Sequence, residues 1–172
     1  MQIHQFKLQY SAEEDRVVFY LNTITGEDFR FYLTRRFVHL LWPVLKNLLA
    51  QDYKRREPET SHVADAMLEF EQEKVVSKAN FSQEYTEEAK AQPLGKDIIL
   101  LTRIQVKKGQ AGDILCLLPT QGKGLEFNVN PQFLHMFSKM LKEITAKADW
   151  GLGFVHMPHN TAMAAPVSKT IH

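Results

Sequence analysis

Basic side chains at the polar positions of predicted strands and helix starts are the residues best suited to chemistry with an anionic partner. Six of them stand out. They are Lys7, Arg30, Arg35, Arg36, Arg103 and Lys107. Arg35 and Arg36 fall at the start of a predicted helix, where free backbone N–H groups favour anions. Tyr20 and Tyr32 lie among these cations and offer rings on which bases can stack. The pattern predicts an interface for single-stranded nucleic acid, with a solubilised sheet surface as the alternative.

The seven histidines are the other candidates for chemistry. His156, His159 and His172 have no cysteine or carboxylate near them to complete a metal site, so no metal is predicted. His39 and His135 each follow the first phenylalanine of a predicted helix by two residues. Neither has a nucleophile beside it in sequence, which favours a structural role over catalysis. We therefore predict no catalytic residue and no cofactor; an enzyme whose cleft contains both His39 and His135 is the least favoured alternative.

Charge limits the range of partners. The chain has 21 basic and 20 acidic residues, a formal net charge of +1. A field strong enough to attract nucleic acid or an anionic membrane over the whole surface is therefore absent. Residues 57–96 hold nine acidic and four basic residues, a net charge of −5, which leaves +6 on the rest of the chain. Nucleic-acid binding requires this positive charge to be sorted onto one face.

Cysteine and hydropathy indicate the compartment. Cys116 is the single cysteine and lies in an apolar run over residues 114–118, which favours a buried structural thiol. No intrachain disulfide can form, as is usual in a reducing cytoplasm. No apolar stretch approaches the roughly 20 residues that span a bilayer, and the first residues lack a secretory apolar region. We predict a soluble cytoplasmic protein without a membrane partner.

Three strands followed by a helix are predicted over residues 5–48. Residues 5–10 and 29–33 alternate apolar and polar side chains, and residues 16–21 are apolar on both faces. Thr34 is suited to cap the helix. The apolar residues then recur at helical spacing. They are Phe37, Leu40, Leu41, Val44, Leu45 and Leu48. Pro43 lies within this pattern and predicts a kink.

The same order recurs over residues 102–144. A shift of 96 takes Thr34 to Asn130, another good N-cap, and Arg35 to Pro131, which suits the first helical position. It also takes His39 to His135. The six apolar helix positions map onto Phe133, Met136, Phe137, Met140, Leu141 and Ile144. Because cap, apolar face and strand alternation agree under nearly one shift, we predict an internal duplication with pseudo-twofold symmetry.

Two segments lie outside the repeat. In the acidic connector, Ser61 is a candidate cap for a helix, and Pro93 and Gly95 precede the second unit. The predicted apolar face of that helix comprises Val63, Ala66, Met67 and Phe70, and Phe81 and Tyr85 suggest further packing. The segment after Trp150 has the composition of a mobile tail. The predicted divisions are 1–56, 57–96, 97–150 and 151–172, with the two units sharing one core.

The order of the predicted strands and helices resembles that of a known superfamily. Tandem strand-rich units that each end in a helix, over residues 3–50 and 97–148, resemble the Whirly and guide-RNA-binding proteins, whose units are similar to the transcription coactivator PC4. In that superfamily the sheets bind single-stranded DNA or RNA, and the helices pack together. Residues 33–36 with 41–43 also resemble a bacterial family to which no activity is assigned. Units of that superfamily have four strands, whereas three are predicted in each unit here. The connector and residues 97–101 are the two candidates for an extra strand.

The sequence thus predicts an α+β protein of two duplicated strand-strand-strand-helix units joined by a helical acidic connector. The predicted role is a non-catalytic binding module for single-stranded DNA or RNA. A protein-protein interaction or scaffold module, acting through the connector or a sheet edge, is the alternative. Sheet edges that must be covered also favour a homo-oligomer.

Overall fold

The fold is α+β, as predicted. The computed structural model describes residues 2–60, 64–78, 91–110 and 112–153. Within these ranges the chain forms two β-sheets and three α-helices. Their order is β1–β2–β3–α1, then α2 and a short β4, then β5–β6–β7–α3. The two strand-strand-strand-helix units are therefore present in the predicted order, and their origin by duplication stays a prediction.

The first sheet contains four strands in the order β1-β2-β3-β4. Strands β1 (Ile3–Ser11), β2 (Arg16–Thr23) and β3 (Asp28–Thr34) pair antiparallel. Side chains alternate between faces along each strand. The inner face carries the apolar set predicted from the alternation, and Phe19, Phe31 and Leu33 are fully buried on it.

The fourth strand comes from the start of the second unit. Strand β4 (Ile99–Leu100) pairs parallel with β3, as Ile99 lies opposite Phe31 and Leu100 opposite Tyr32. The next residue, Leu101, donates its N–H to the Tyr32 carbonyl at 3.1 Å, and Thr102 donates to the Leu118 carbonyl at 2.9 Å. The chain thus passes directly from the edge of the first sheet to the edge of the second.

The second sheet has three antiparallel strands, β5 (Arg103–Gly109), β6 (Gly112–Leu118) and β7 (Leu125–Asn128). Leu115, Leu117 and Leu125 point into the protein. Cys116 is also buried, and burial raises the pKa of its thiol. A buried, protonated thiol agrees with the structural role predicted for this residue.

Helix α1 spans Arg35–Arg56 and continues through Pro43. The Thr34 hydroxyl accepts from the Phe37 N–H at 3.1 Å, so the predicted cap is present. One part of the predicted apolar face is wrong: Leu40 is 50% exposed. The buried side instead adds Val38, Leu49 and Tyr53. The face that α1 buries is therefore rotated relative to the predicted stripe.

Helix α3 spans Pro131–Lys147 and is capped by Asn130, whose side-chain oxygen accepts from the Gln132 N–H at 2.9 Å. Pro131 takes the first helical position, where its missing donor costs nothing. The aromatic residues of α3 reach across to the first sheet. Phe133 and Phe137 lie with ring centroids 5.0 Å and 6.1 Å from that of Phe6.

One apolar cluster joins the two units. It contains residues from both sheets and all three helices, among them Phe19 of the first sheet and Phe127 of the second. The Phe137 ring lies 5.0 Å from that of Phe19, and the Phe133 ring lies 5.0 Å from that of Phe127. Helix α3 therefore fills the space between both sheets, and the exact division of the chain into units stays a prediction.

Helix α2 (Ala64–Lys78) confirms a helix in the acidic connector, but its predicted apolar face is wrong. Phe70 is 61% exposed and Met67 is 38% exposed, whereas Leu68 is buried. Polar contacts orient the helix: Glu71 pairs with Arg56. The proposed cap Ser61, together with Val63, Phe81 and Tyr85, lies outside the described residues, as does the tail beyond residue 153.

The turn between β1 and β2 holds the end of the second unit. The Asp15 carboxylate accepts from the Trp150 indole at 2.6 Å and from the Tyr10 hydroxyl at 2.9 Å. These hydrogen bonds lower the pKa of Asp15 and raise the pKa of Tyr10. Asp15 therefore fixes the indole of Trp150, a residue that is 2% exposed.

Candidate nucleic-acid interface

The outer face of the first sheet brings together the aromatic and basic residues predicted from the alternation. Lys7, Tyr20 and Arg30 lie opposite one another on β1, β2 and β3 and form a single row across the sheet. Tyr32 is diagonal to Tyr20, because its partner on β2 is Val18. All but Val18 are half-buried, as expected for side chains that stand on a sheet surface.

A cation lies against each tyrosine ring. The Lys7 ammonium is 5.3 Å from the Tyr20 ring centroid, and the Arg16 guanidinium is 5.1 Å from that of Tyr32. Both distances fall within the range in which a ring face attracts a cation. Burial and the nearby Glu14 carboxylate raise the pKa of Tyr32, so its phenol stays protonated. The face therefore alternates neutral rings with positive charges.

Acidic groups limit the charge of this face. Arg30 donates to the Asp28 carboxylate at 2.8 Å, and Asp28 is almost fully buried. Glu14 lies 3.4 Å from Arg16. Of the cations on the face, Lys7 is the one for which no carboxylate contact is observed within the described ranges. A polyanion must compete with these carboxylates for the arginines.

The second sheet uses its predicted cations differently. Arg103 donates twice to the Pro119 carbonyl, at 3.1 Å and 3.0 Å. Lys107 pairs with Glu126 at 2.9 Å, and this contact raises the pKa of Lys107. Both side chains are thus engaged within their own sheet. The six predicted residues do not form one site.

Arg35 and Arg36 are exposed in the first turn of α1, directly after β3. Arg35 lies near Asp15 and helps to lower the pKa of that carboxyl. The Thr34 side chain already occupies the Phe37 N–H. The helix start therefore offers two exposed cations rather than an open cradle of N–H groups.

Arg16 is the residue of this face that the sequence analysis missed. It is two residues from Val18 and four from Tyr20, so the alternation of β2 places it on the same side of the sheet. Its position opposite Thr34 at the end of β3 brings it to Tyr32. Arg16 already begins the predicted strand over residues 16–21, but that strand is apolar on both faces, so its pattern alone did not assign Arg16 to the outer face.

The two histidines that the predicted repeat places at equivalent positions are not brought together. His39 is exposed on α1, whereas His135 is 2% exposed on α3 and lines a cavity to which His39 does not contribute. Within the described residues, no cluster of three or more histidine, cysteine or acidic side chains has the geometry of a metal site. His156, His159 and His172 lie outside the described residues.

Comparison of the chain with protein-family models, with curated proteins and with solved structures found no match. The resemblance to the Whirly and guide-RNA-binding proteins stays a prediction. In the described ranges, no helix has both the length and the apolar character required to cross a bilayer.

Proposed function

We propose that this protein is a non-catalytic binding module that holds single-stranded DNA or RNA on the outer face of its first sheet. The observation that carries the proposal is the presence of a cation over each tyrosine ring. The Lys7 ammonium lies 5.3 Å from the Tyr20 ring centroid. The Arg16 guanidinium lies 5.1 Å from the Tyr32 ring centroid. Aromatic rings bind bases without regard to sequence, and cations bind the backbone. The face combines both.

The proposal narrows the predicted surface. Lys7, Arg30 and the exposed Arg35 and Arg36 remain part of it, and Arg16 joins them. Arg103 and Lys107 are engaged by the Pro119 carbonyl and by Glu126, so they contribute less. Because the whole chain carries a net charge of only +1, affinity should depend on this local cluster rather than on a general field.

Fluorescence anisotropy with a labelled oligothymidine across a salt series tests the proposal. Affinity should fall as the salt concentration rises, because protein binding releases the counterions that surround the strand and added salt opposes that release. The double substitution Lys7→Gln with Arg16→Gln should reduce the slope of log K against log salt by about 1.4, from about 0.7 per contact. Tyr20→Leu should weaken binding by about 1–3 kcal/mol through lost stacking.

A matched control removes two charges elsewhere. Lys142 and Lys147 are exposed on α3, which packs against the inner face of the first sheet. The double substitution of both lysines by glutamine should leave the slope unchanged. An equal reduction in this control, or no binding at low salt, would overturn the proposal.

A protein-interaction module is the second candidate, favoured by the exposed Met67 and Phe70 on α2. The first partner to test is a second copy of the chain. If α2 mediates self-association, light scattering after size exclusion should give a mass above the 19.9 kDa monomer, and Phe70→Ser should lower it. A monomeric wild-type chain would contradict self-association.

A further inference from the structure

A cavity of about 610 Å³ lies where the end of α1, the side of α2 and the start of α3 meet. Its volume is within the range of about 300–1,000 Å³ that small-molecule sites occupy. Its polar lining comprises Arg56, Glu71, Lys74, Asn130, Gln132 and His135. The cavity is separate from the outer face of the first sheet.

His135 is the unusual residue of this cavity. It is 2% exposed, and neither imidazole nitrogen has a hydrogen-bond partner within the described part of the chain. The nearest carboxylate oxygen belongs to Glu71, 3.6 Å from Nε2, which is too long for a hydrogen bond. A buried polar group left without a partner costs about 1–3 kcal/mol. A ligand that supplied the missing partner would recover that free energy.

The charges around the cavity favour an anion. Arg56 binds both Glu71 oxygens, at 3.1 Å and 2.9 Å. It also contacts Asp52, which is paired with Arg55 at 3.8 Å, so the charges of the two arginines and the two carboxylates balance. Lys74 makes no ion pair with any other described residue. The positive end of the α3 dipole lies at the cavity and also favours an anion there. One N–H at this end, that of Gln132, is already bonded to the Asn130 side chain.

The remaining lining is apolar. Val75 of α2, together with Val129 and Pro131 at the start of α3, completes the lining of the cavity. We propose that this cavity binds a small organic anion with an apolar body, its charged group held by Lys74 and His135 and its body packed against Val75, Val129 and Pro131. Because both imidazole nitrogens are shielded from solvent in this state, binding must be accompanied by a movement of the His135 ring or of Glu71.

Binding should be coupled to a proton. Burial lowers the pKa of His135, so its ring is neutral at neutral pH in the free protein. Glu71 of α2 and Asp52 of α1 act against this effect, and Arg56 of α1 adds to it. An anion beside the ring stabilises the imidazolium and raises its pKa. The complex therefore takes up a proton, and affinity should rise as the pH falls.

Isothermal titration calorimetry with inorganic phosphate, acetate, phenyl phosphate and benzoate tests the proposal on the full chain. The two aromatic anions should bind more tightly than the two small ones, because their rings also contact the apolar residues of the lining. Affinity should increase between about pH 8 and about pH 6, with a heat that depends on the buffer. Preference for one aromatic anion would identify the charged group as phosphate or carboxylate.

Substitutions locate the site. His135→Gln and Lys74→Gln should each weaken binding by about tenfold or more, which corresponds to about 1.4 kcal/mol. Lys74 is exposed, so its variant retains the fold even if the histidine variant loses stability. His39→Gln, at the equivalent exposed position of α1, should have no effect. Absence of binding by all four anions, or unchanged binding in the Lys74 variant, would overturn the proposal.

Discussion

The starts of α1 and α3 follow the same sequence pattern and have different surroundings. Each helix is capped by the residue before it, and each has a histidine five positions after the cap. His39 is exposed, whereas His135 is buried. The difference arises from α2, which lies against α3: the Gln72 amide donates to the His135 carbonyl at 3.2 Å.

The comparison shows that equivalence in sequence determines local features and leaves burial open. A cap depends on residues two or three apart, so it repeats whenever the pattern repeats. Burial depends on what packs against the helix, and the connector occurs once. Leu40 illustrates this, because it is 50% exposed, whereas Met136, its counterpart on α3, is half-buried.

The largest effects are expected in the core, where the two helices should behave alike. Leu41→Ala and Phe137→Ala occupy equivalent positions, and both native side chains are fully buried. Each substitution should lower the free energy of unfolding by about 2–5 kcal/mol, measured by urea denaturation. Leu40→Ala is the matched control and should cost less than about 1 kcal/mol. An equal loss in the control would show that the Leu40 side chain is buried, as the predicted apolar face of α1 requires.

The ion pair between Arg56 of α1 and Glu71 of α2 should help to hold α2 against α3, where His135 is buried. Glu71→Gln removes the charge that binds Arg56 through two hydrogen bonds. Because Glu71 and Arg56 are partly exposed, the expected loss is about 1 kcal/mol. Hydrogen exchange should accelerate over residues 64–78. Glu73→Gln, at an exposed position on the same helix, should leave exchange unchanged; acceleration in both variants would contradict a specific role for Glu71.

Local patterns were sufficient to predict the strands and the caps. Alternation places Lys7 and Arg30 on the polar faces of β1 and β3, because side-chain direction in a strand has a period of two. Strand β2 is apolar on both faces, so the position of Tyr20 between these two cations depends on the register of the three strands. The parallel pairing of β4 with β3 was only a candidate, since contact between residues 31 and 99 depends on the whole fold. The partners of Arg103 and Lys107 likewise depend on the register of neighbouring strands.

The orientation of α2 could not be predicted from its apolar residues. Met67 and Phe70 are more exposed than Leu68, because an ion pair with Arg56 and a hydrogen bond to α3 orient the helix. Arg56 is 15 residues from Glu71, and His135 is 63 residues from Gln72, so neither contact follows from the pattern within α2. The burial of His135 could not be predicted for the same reason.

The two caps offer a test in which α1 and α3 should again behave alike. Thr34→Ala removes the bond to the Phe37 N–H, and Asn130→Ala removes the bond to the Gln132 N–H. Each should lower the free energy of unfolding by about 1 kcal/mol, measured by chemical denaturation. Serine at either position keeps an acceptor and should restore most of the loss. A cost in only one helix would show that the equivalence does not extend to the caps.

The dependence of stability on pH should also distinguish the two histidines. Burial lowers the pKa of His135 from its ordinary value of 6.5, so the folded state disfavours its charged form. Its contribution to stability is complete above the unfolded pKa and is lost as the pH falls below that value. One proton changes the free energy of unfolding by at most about 1.4 kcal/mol per pH unit. Between about pH 7.5 and about pH 5.5, the melting temperature of His135→Gln should therefore fall by less than that of the wild type.

His39→Gln is the control. Its melting temperature should change with pH as that of the wild type does, because the His39 ring is exposed. If the two variants have the same pH dependence, the different burial of the two histidines has no electrostatic consequence, and the protonation step proposed for the cavity fails with it.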